Sequence, residues 1–421
     1  MKGKTFLIFV VSILFGNTQP VFSDDLKTVL RLTFEKNNQL IVERKKLLAQ
    51  REQLIQLRAN LLPNITANIS RTNTWDLDSN SETNSSLASI SADYTIYDGN
   101  LRANNIASEK HLLRMSEFSL TLNEQKVLLS AIKAYLDVLR DRRLVDLSKK
   151  NVAVITKQLS ATQSRFDFGE LTRTDVSQAS AALSAAESTL AARQGNLELS
   201  NSIFELIIGS EPIHLVEVDD IPPLPSSLKE SKKIALKYNP AYQEAITNED
   251  MARANLEASK SIRSPNLRIS SSISEGQGTS AQIRIVGSLP IFNGGKNESV
   301  IRESSKRLEV AISRSNLSRL NVIQSVVASW SELEVSKAMI PTRIRQVEAN
   351  NLAYQGVREE ARLGTRTTLD VLDAEQALMN AEIDLATAKS NRLSAAFNLL
   401  SAIGKLDPET LNLKLKSKNG S

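Results

Sequence analysis

Apolar and polar residues alternate one by one in four short stretches of this chain, and the long stretches between them follow a helical period. The alternating stretches are NITANISR (64–71), ASISADYTIY (88–97), NLRISSSIS (266–274) and AQIRIVGSLPIF (281–292). In the second, Ile90, Ala92, Tyr94 and Ile96 share one face; Ser89, Ser91, Asp93 and Thr95 share the other. In the fourth, Ala281, Ile283, Ile285, Gly287, Leu289 and Ile291 oppose Gln282, Arg284 and Ser288. Strand side chains point to alternate faces, so this period of two predicts four β-strands. Half-buried hairpins and lipid-facing barrel strands both produce it.

The helical stretches begin with Leu26–Leu62 and Leu228–Ser264, each closed by a proline. From about Leu101 to Arg165 the pattern runs without proline, a rod of roughly 100 Å at the rise of an α-helix. It breaks at Gly169. The returning helix carries a seam of Val176, Ala179, Leu183, Ala186, Leu190, Arg193 and Leu197. A second seam follows Val371, Ala374, Leu378, Ala381, Leu385, Ala388 and Arg392. Spacings that alternate between three and four mark coiled-coil packing, and the recurring alanines let two helices approach closely.

These elements occur twice. FGELTRTDVSQA (168–179) matches LGTRTTLDVLDA (363–374), and YTIYDGN (94–100) matches LPIFNGG (289–295), both at an offset of 195 residues. Further upstream Asn37 pairs with Asn239 and Pro63 with Pro265 at an offset of 202, so the extra residues lie in a loop between Pro63 and Tyr94. The organisation expected is a first repeat over 24–209, a Pro-rich linker over 210–228, a second repeat over 229–404 and a tail over 405–421. The polar segment Thr72–Leu87 is expected to be a loop on the side away from the helices.

Residues 1–23 read as a secretory signal peptide. Lys2 and Lys4 precede the apolar run Phe6–Phe15, which is too short to span a bilayer, and Val21 and Ser23 suit a cut before Asp24. No later stretch is apolar for long enough to form a membrane helix, so insertion into a membrane requires strands. With no cysteine and two isolated histidines, His111 and His214, neither a disulfide framework nor a metal site is expected, and no cofactor is implied. The formal charge of +5 drops to +3 without Lys2 and Lys4, and acids and bases are interspersed, so nucleic acid is not expected as a partner. No nucleophile elbow, zinc motif or phosphate loop appears, so an enzyme is not expected.

A chain with four strands cannot close a barrel, and open strand edges do not survive in hydrocarbon. Two chains would give eight strands, a barrel filled by side chains; three would give twelve and a lumen. The order helix, Pro, strand, strand, [FY]-[DN]-G, long helix, G-x-x-x-x-x-D, helix occurs twice after the expected signal peptide. It resembles the TolC family of outer-membrane efflux and secretion channels over essentially the whole mature chain. GTRTTLDVLDAEQALMNAE (364–382) carries the resemblance most specifically, and sits closer to the TolC branch than to lipid-anchored drug-efflux relatives.

The resemblance implies a mainly α fold with a small transmembrane β part: a tandem repeat of long coiled-coil helices with four strands per chain in a trimeric twelve-stranded barrel. It also implies a homotrimer in the outer membrane, in contact with lipid. That trimer would dock on a periplasmic adaptor (membrane fusion) protein and an inner-membrane transporter of the RND, ABC or MFS type. Its role would be the exit duct of an efflux pump or type I secretion system. Asp370 and Asp373 match the aspartates that ring a closed periplasmic entrance. Arg366 matches an arginine that ties one chain to Thr174 and Asp175 of a neighbour, and is expected to be otherwise unpaired. The turns at Gly169, Thr172, Gly364 and Thr367 match the tips that meet the adaptor. The family's gate tyrosine falls at Ala361.

The same residues have an ordinary reading. Thr172-x-x-Asp175 and Thr367-x-x-Asp370 are capping boxes with Asp in place of Glu, and the two glycines are turn residues. A soluble periplasmic coiled-coil adaptor is the competing class. It accounts for the helices and the signal peptide, but not for two pairs of strands.

Overall fold

The structure, a computed structural model, describes residues 25–78, 80–218 and 221–413. The expected signal peptide lies outside them, as does the end of the C-terminal tail. Four strands, β1 (Asn64–Asp76), β2 (Ser81–Tyr97), β3 (Asn266–Glu275) and β4 (Thr279–Ser288), form one antiparallel sheet in that order. The β2–β3 ladder joins the two copies. Its register sets Ile90 opposite Ile273, while Ala67 faces Ile90 and Ile269 faces Ile285 across the neighbouring ladders. Partners in a ladder share a face, so the isoleucines of all four strands make one apolar surface. The opposite face is rich in hydroxyls, some bonded across strands, such as Thr66 to Ser91 at 2.8 Å. Among the described residues none covers the apolar face: Ile69 is 90% and Ile283 76% exposed.

Two strand boundaries differ from expectation. Thr72–Leu87 is not a loop; the ladder runs on through Asn73↔Asn84 and Thr74↔Thr83 to a tight turn near Asn80. A stretch polar on both faces has no alternation to read, yet its register is already set by the pairs below it. At the other end β4 stops at Ser288 rather than Phe292. Pro290 has no N–H to donate to a ladder.

The expected helices Leu26–Leu62 and Leu228–Ser264 are each two helices: α1 (Leu26–Lys36) with α2 (Asn38–Ala59), and α5 (Leu228–Tyr238) with α6 (Pro240–Lys260). The breaks fall at Asn37 and Asn239, the pair already matched between the repeats. Both have extended ψ, 122° and 120°, and both side chains cap the helix that follows. Pro240 disfavours a helical Asn239. In the first copy no proline does this. There Arg44 donates to the Phe34 carbonyl at 3.0 Å and lies over the Phe34 ring, fixing the bend by tertiary contact. Gly404, at φ +76°, lies so close to the Tyr238 carbonyl that a Cβ there would meet it at 2.5 Å.

The long helices α3 (Leu101–Asp167) and α7 (Lys296–Arg362) each have 67 residues. They return as α4 (Arg173–Ile208) and α8 (Thr368–Ala402). Ala179, Ala186, Val371, Ala381 and Ala388 of the expected seams are buried. Arg392 is exposed; the α8 seam passes instead to Ala395 and Ala396. The main core lies where α1, α3, α4, α5, α7 and α8 converge, around Leu30, Leu128, Ile132, Tyr135, Phe204, Phe397 and Leu400. The described residues of segment 210–228 pack onto it: the Tyr135 hydroxyl donates to the Val216 carbonyl at 2.7 Å, and Ile221 and Leu224 lie against the cluster.

Candidate functional site at the helix turns

The two helical hairpins turn at the far end of α3 and α7 from the sheet. Each long helix ends at a glycine with positive φ, Gly169 at +82° and Gly364 at +84°, a conformation other L-residues resist. The next turn of backbone folds back: Glu170 N–H bonds to the Arg165 carbonyl at 2.9 Å, and Thr365 N–H to the Glu360 carbonyl at 3.0 Å.

Both expected capping boxes form. The Thr172 hydroxyl accepts the Asp175 N–H at 3.3 Å, and Asp175 Oδ2 accepts from the Thr172 N–H at 2.9 Å. At the start of α8, Thr367 accepts from Asp370 N–H at 3.2 Å, and Asp370 Oδ2 accepts the Thr367 N–H at 2.9 Å and its hydroxyl at 2.8 Å. The backbone N–H of Thr367, then its hydroxyl, holds the Asp370 carboxyl below the usual range. The Thr172 hydroxyl leads the same effect at Asp175. Thr174 stands exposed beside it.

Between the two acids of α8, Val371 and Leu372 are buried. Leu372 inserts among Ile155, Ala179 and Ala186, so it fastens the tip of one hairpin to the other. At about 100° per residue, the bisector of Asp370 and Asp373 lies roughly 130° from Leu372. The acids therefore share the open side of α8, and Asp373 is exposed.

Arg366 is not the unpaired cation expected. Its Nε lies 2.8 Å from Glu360 Oε2 of the same chain, and this pairing raises its pKa. The long side chain of Glu360, six residues back across the turn, reaches it only because the Gly364 fold brings the two together. Ala361, where the resemblance would put a tyrosine, is buried. Thr174, Asp175 and Arg366 sit on the tips of different hairpins, and no bond joins them within the chain among the described residues.

Sequence reasoning missed a polar cluster one to two turns further in. Tyr354 of α7 and Glu375 of α8 face each other, with Arg358 a turn along α7. Glu375 is only 9% exposed, and its Oε2 has no partner among the described residues. Burial raises its carboxyl above the usual range against the opposing pull of Tyr354, and burial together with Glu375 pushes the Tyr354 phenol up to about 12. The available signal was an acid next to the seam positions Val371, Ala374 and Leu378. No group of three or more His, Asp or Glu among the described residues is placed to hold a metal ion.

A sheet apolar on one face, polar on the other and open at both edges, carried on two helical hairpins of roughly 100 Å, defines a wall segment of an outer-membrane channel. The chain belongs to the outer membrane efflux protein family, whose profile matches residues 29–209 and 233–405. It is 29% identical over 408 residues to the outer membrane efflux protein BepC of Brucella suis, covering 94% of this chain and 89% of that one. It is 24% identical over 390 residues to the outer membrane protein TolC of Escherichia coli, covering 86% and 78%. The fold matches that of CusC with a TM-score of 0.83 at 19% identity, over 90% of this chain and 92% of CusC.

Proposed function

We propose that three copies of this chain close a twelve-stranded barrel in the outer membrane and that their helices continue it as a periplasmic tunnel. The tunnel is the exit duct for an inner-membrane transporter of the RND, ABC or MFS type, coupled through a periplasmic adaptor. The observation that carries this is the open sheet. β1 and β4 each leave a row of backbone N–H and C=O groups unpaired, and each such group left alone in hydrocarbon costs several kcal/mol. Pairing β1 of one copy with β4 of the next removes every edge.

In this arrangement the tips carrying Gly169, Thr172, Gly364 and Thr367 face the adaptor. Asp370 and Asp373 of three chains ring the entrance, and Arg366 links to Thr174 and Asp175 of a neighbour to hold it shut. Light scattering of the detergent-purified protein tests the assembly, and planar-bilayer recording tests the pore. A trimer that conducts supports the reading. A monodisperse monomer with an intact sheet, or a trimer that never conducts, overturns it.

A further inference from the structure

The polar face of the sheet is neutral hydroxyl and amide over most of its height; Asp76 lies on it beside the β1–β2 turn, and the other charges gather in a band near the helices. Register sets Asn64 opposite Asp93, Asp93 opposite Ser270 and Ser270 opposite Arg284. One step closer to the helices on the same face, Thr95 pairs with Arg268. Arg268 is thus diagonal to both Asp93 and Arg284, within reach of long side chains. Both arginines are exposed. Just below this level two arginines are already matched: Arg102 Nε lies 2.7 Å from Asp98, and Arg263 lies 3.3 Å from Glu298. Further toward the hairpin tips the rows return to neutral residues, Ser91 against Ser272 and Ser272 against Gln282. Two cations against one anion therefore leave a net positive band.

We infer that Arg268 and Arg284 form a cationic girdle at the base of the barrel lumen, a charge filter in series with the acids at the far end of the tunnel. This rests on the channel reading above. Three chains turn the band into a ring. Twelve strands about 4.8 Å apart and tilted by about 40° put the wall roughly 12 Å from the axis. The arginines narrow that opening further, to a scale comparable with the Debye length of about 8 Å at physiological ionic strength. The ring's potential then reaches across the lumen at that salt and contracts to the wall at about 1 M, where the Debye length is about 3 Å. Rings of basic side chains favour anions, and lumen-facing substitutions in barrels tune selectivity without touching the lipid face. The girdle eases anionic cargo through the segment nearest the exterior, whereas the tip acids favour cations at the start of the path.

The experiment is the reversal potential of single channels under a KCl gradient. The double variant Arg268→Ser with Arg284→Ser matches the neighbouring serines. It is expected to shift the reversal potential toward the cation equilibrium potential in dilute salt, with the shift vanishing in concentrated salt. Arg268→Lys with Arg284→Lys is expected to keep the wild-type value. The single variant Arg284→Gln, which keeps side-chain length, is expected to show a smaller shift of the same sign. A conducting Ser variant with the wild-type reversal potential in dilute salt overturns the girdle and leaves the channel reading standing. Wild-type protein that forms no pore overturns both.

Discussion

The Nε of Arg366 sits 2.8 Å from Oε2 of Glu360, so the cation assigned to a link between chains already has a partner within its own. Both side chains are about half exposed, and such a pair is readily exchanged. The guanidinium presents further N–H donors in a fixed fork, so Glu360 competes for that fork without using it up.

Two variants at this pair are expected to act in opposite directions. Arg366→Ser removes the link to Thr174 and Asp175 and raises single-channel conductance. Glu360→Gln releases Arg366 toward the neighbour and lowers it. Conductance unchanged in both variants places closure elsewhere, in the packing of the coils.

Asp370 and Asp373 are expected to separate into distinct phenotypes. Asp373→Ala weakens cation preference and block by a multivalent cation added from the periplasmic side, with no loss of thermal stability. Asp370→Ala weakens both and also lowers the melting temperature, because it removes the partner of the Thr367 cap. The double variant abolishes the block. Since the Asp370 carboxyl is held below its usual range, its stabilising charge is present above the unfolded-state pKa and is lost only as pH falls through the depressed folded value. Full block in the double variant would reduce both residues to helix-start acids.

Glu375 runs with the opposite sign. Its folded pKa is raised, so the stability tied to its protonated form is present below the unfolded-state pKa and is lost as pH rises through the folded value. Tyr354 and Arg358 of α7 and Glu382 of α8 are the groups facing it. Glu375→Gln is expected to melt higher than the parent at neutral pH, with the gap closing on acidification. Melting curves at two pH values decide it; a gap independent of pH contradicts the assignment.

Leu77, 93% exposed at the β1–β2 turn, is expected to lie outside the cell. A cysteine introduced there by Leu77→Cys reacts with a membrane-impermeant maleimide on intact cells. Labelling that needs a permeabilised outer membrane would invert the topology.

The tips show how much of the site was written locally. Both capping boxes were legible because Thr, Asp and Gly act on backbone groups within a few residues of themselves. Glu360 meeting Arg366 and Glu375 meeting Tyr354 were not, since each depends on a turn or a neighbouring helix that brings distant positions together. The breaks at Asn37 and Asn239 lie between the two cases. Pro240 announces the second, whereas the first is held by Arg44 against Phe34, a contact ten residues long.

By itself the sequence determined the repeat, the four strands and the long helices with their close-packed seams, because alternation, heptad spacing and turn glycines are local or periodic signals. Tertiary structure alone decided the register that gathers the isoleucines of both copies on one face and puts Arg268 beside Arg284 on the other. It also decided the true lengths of β1 and β2, whose polar ends carry no pattern and are paired only because the ladder beneath them continues. Pairing between β2 and β3 joins residues about 180 positions apart, and no local preference encodes a contact at that range.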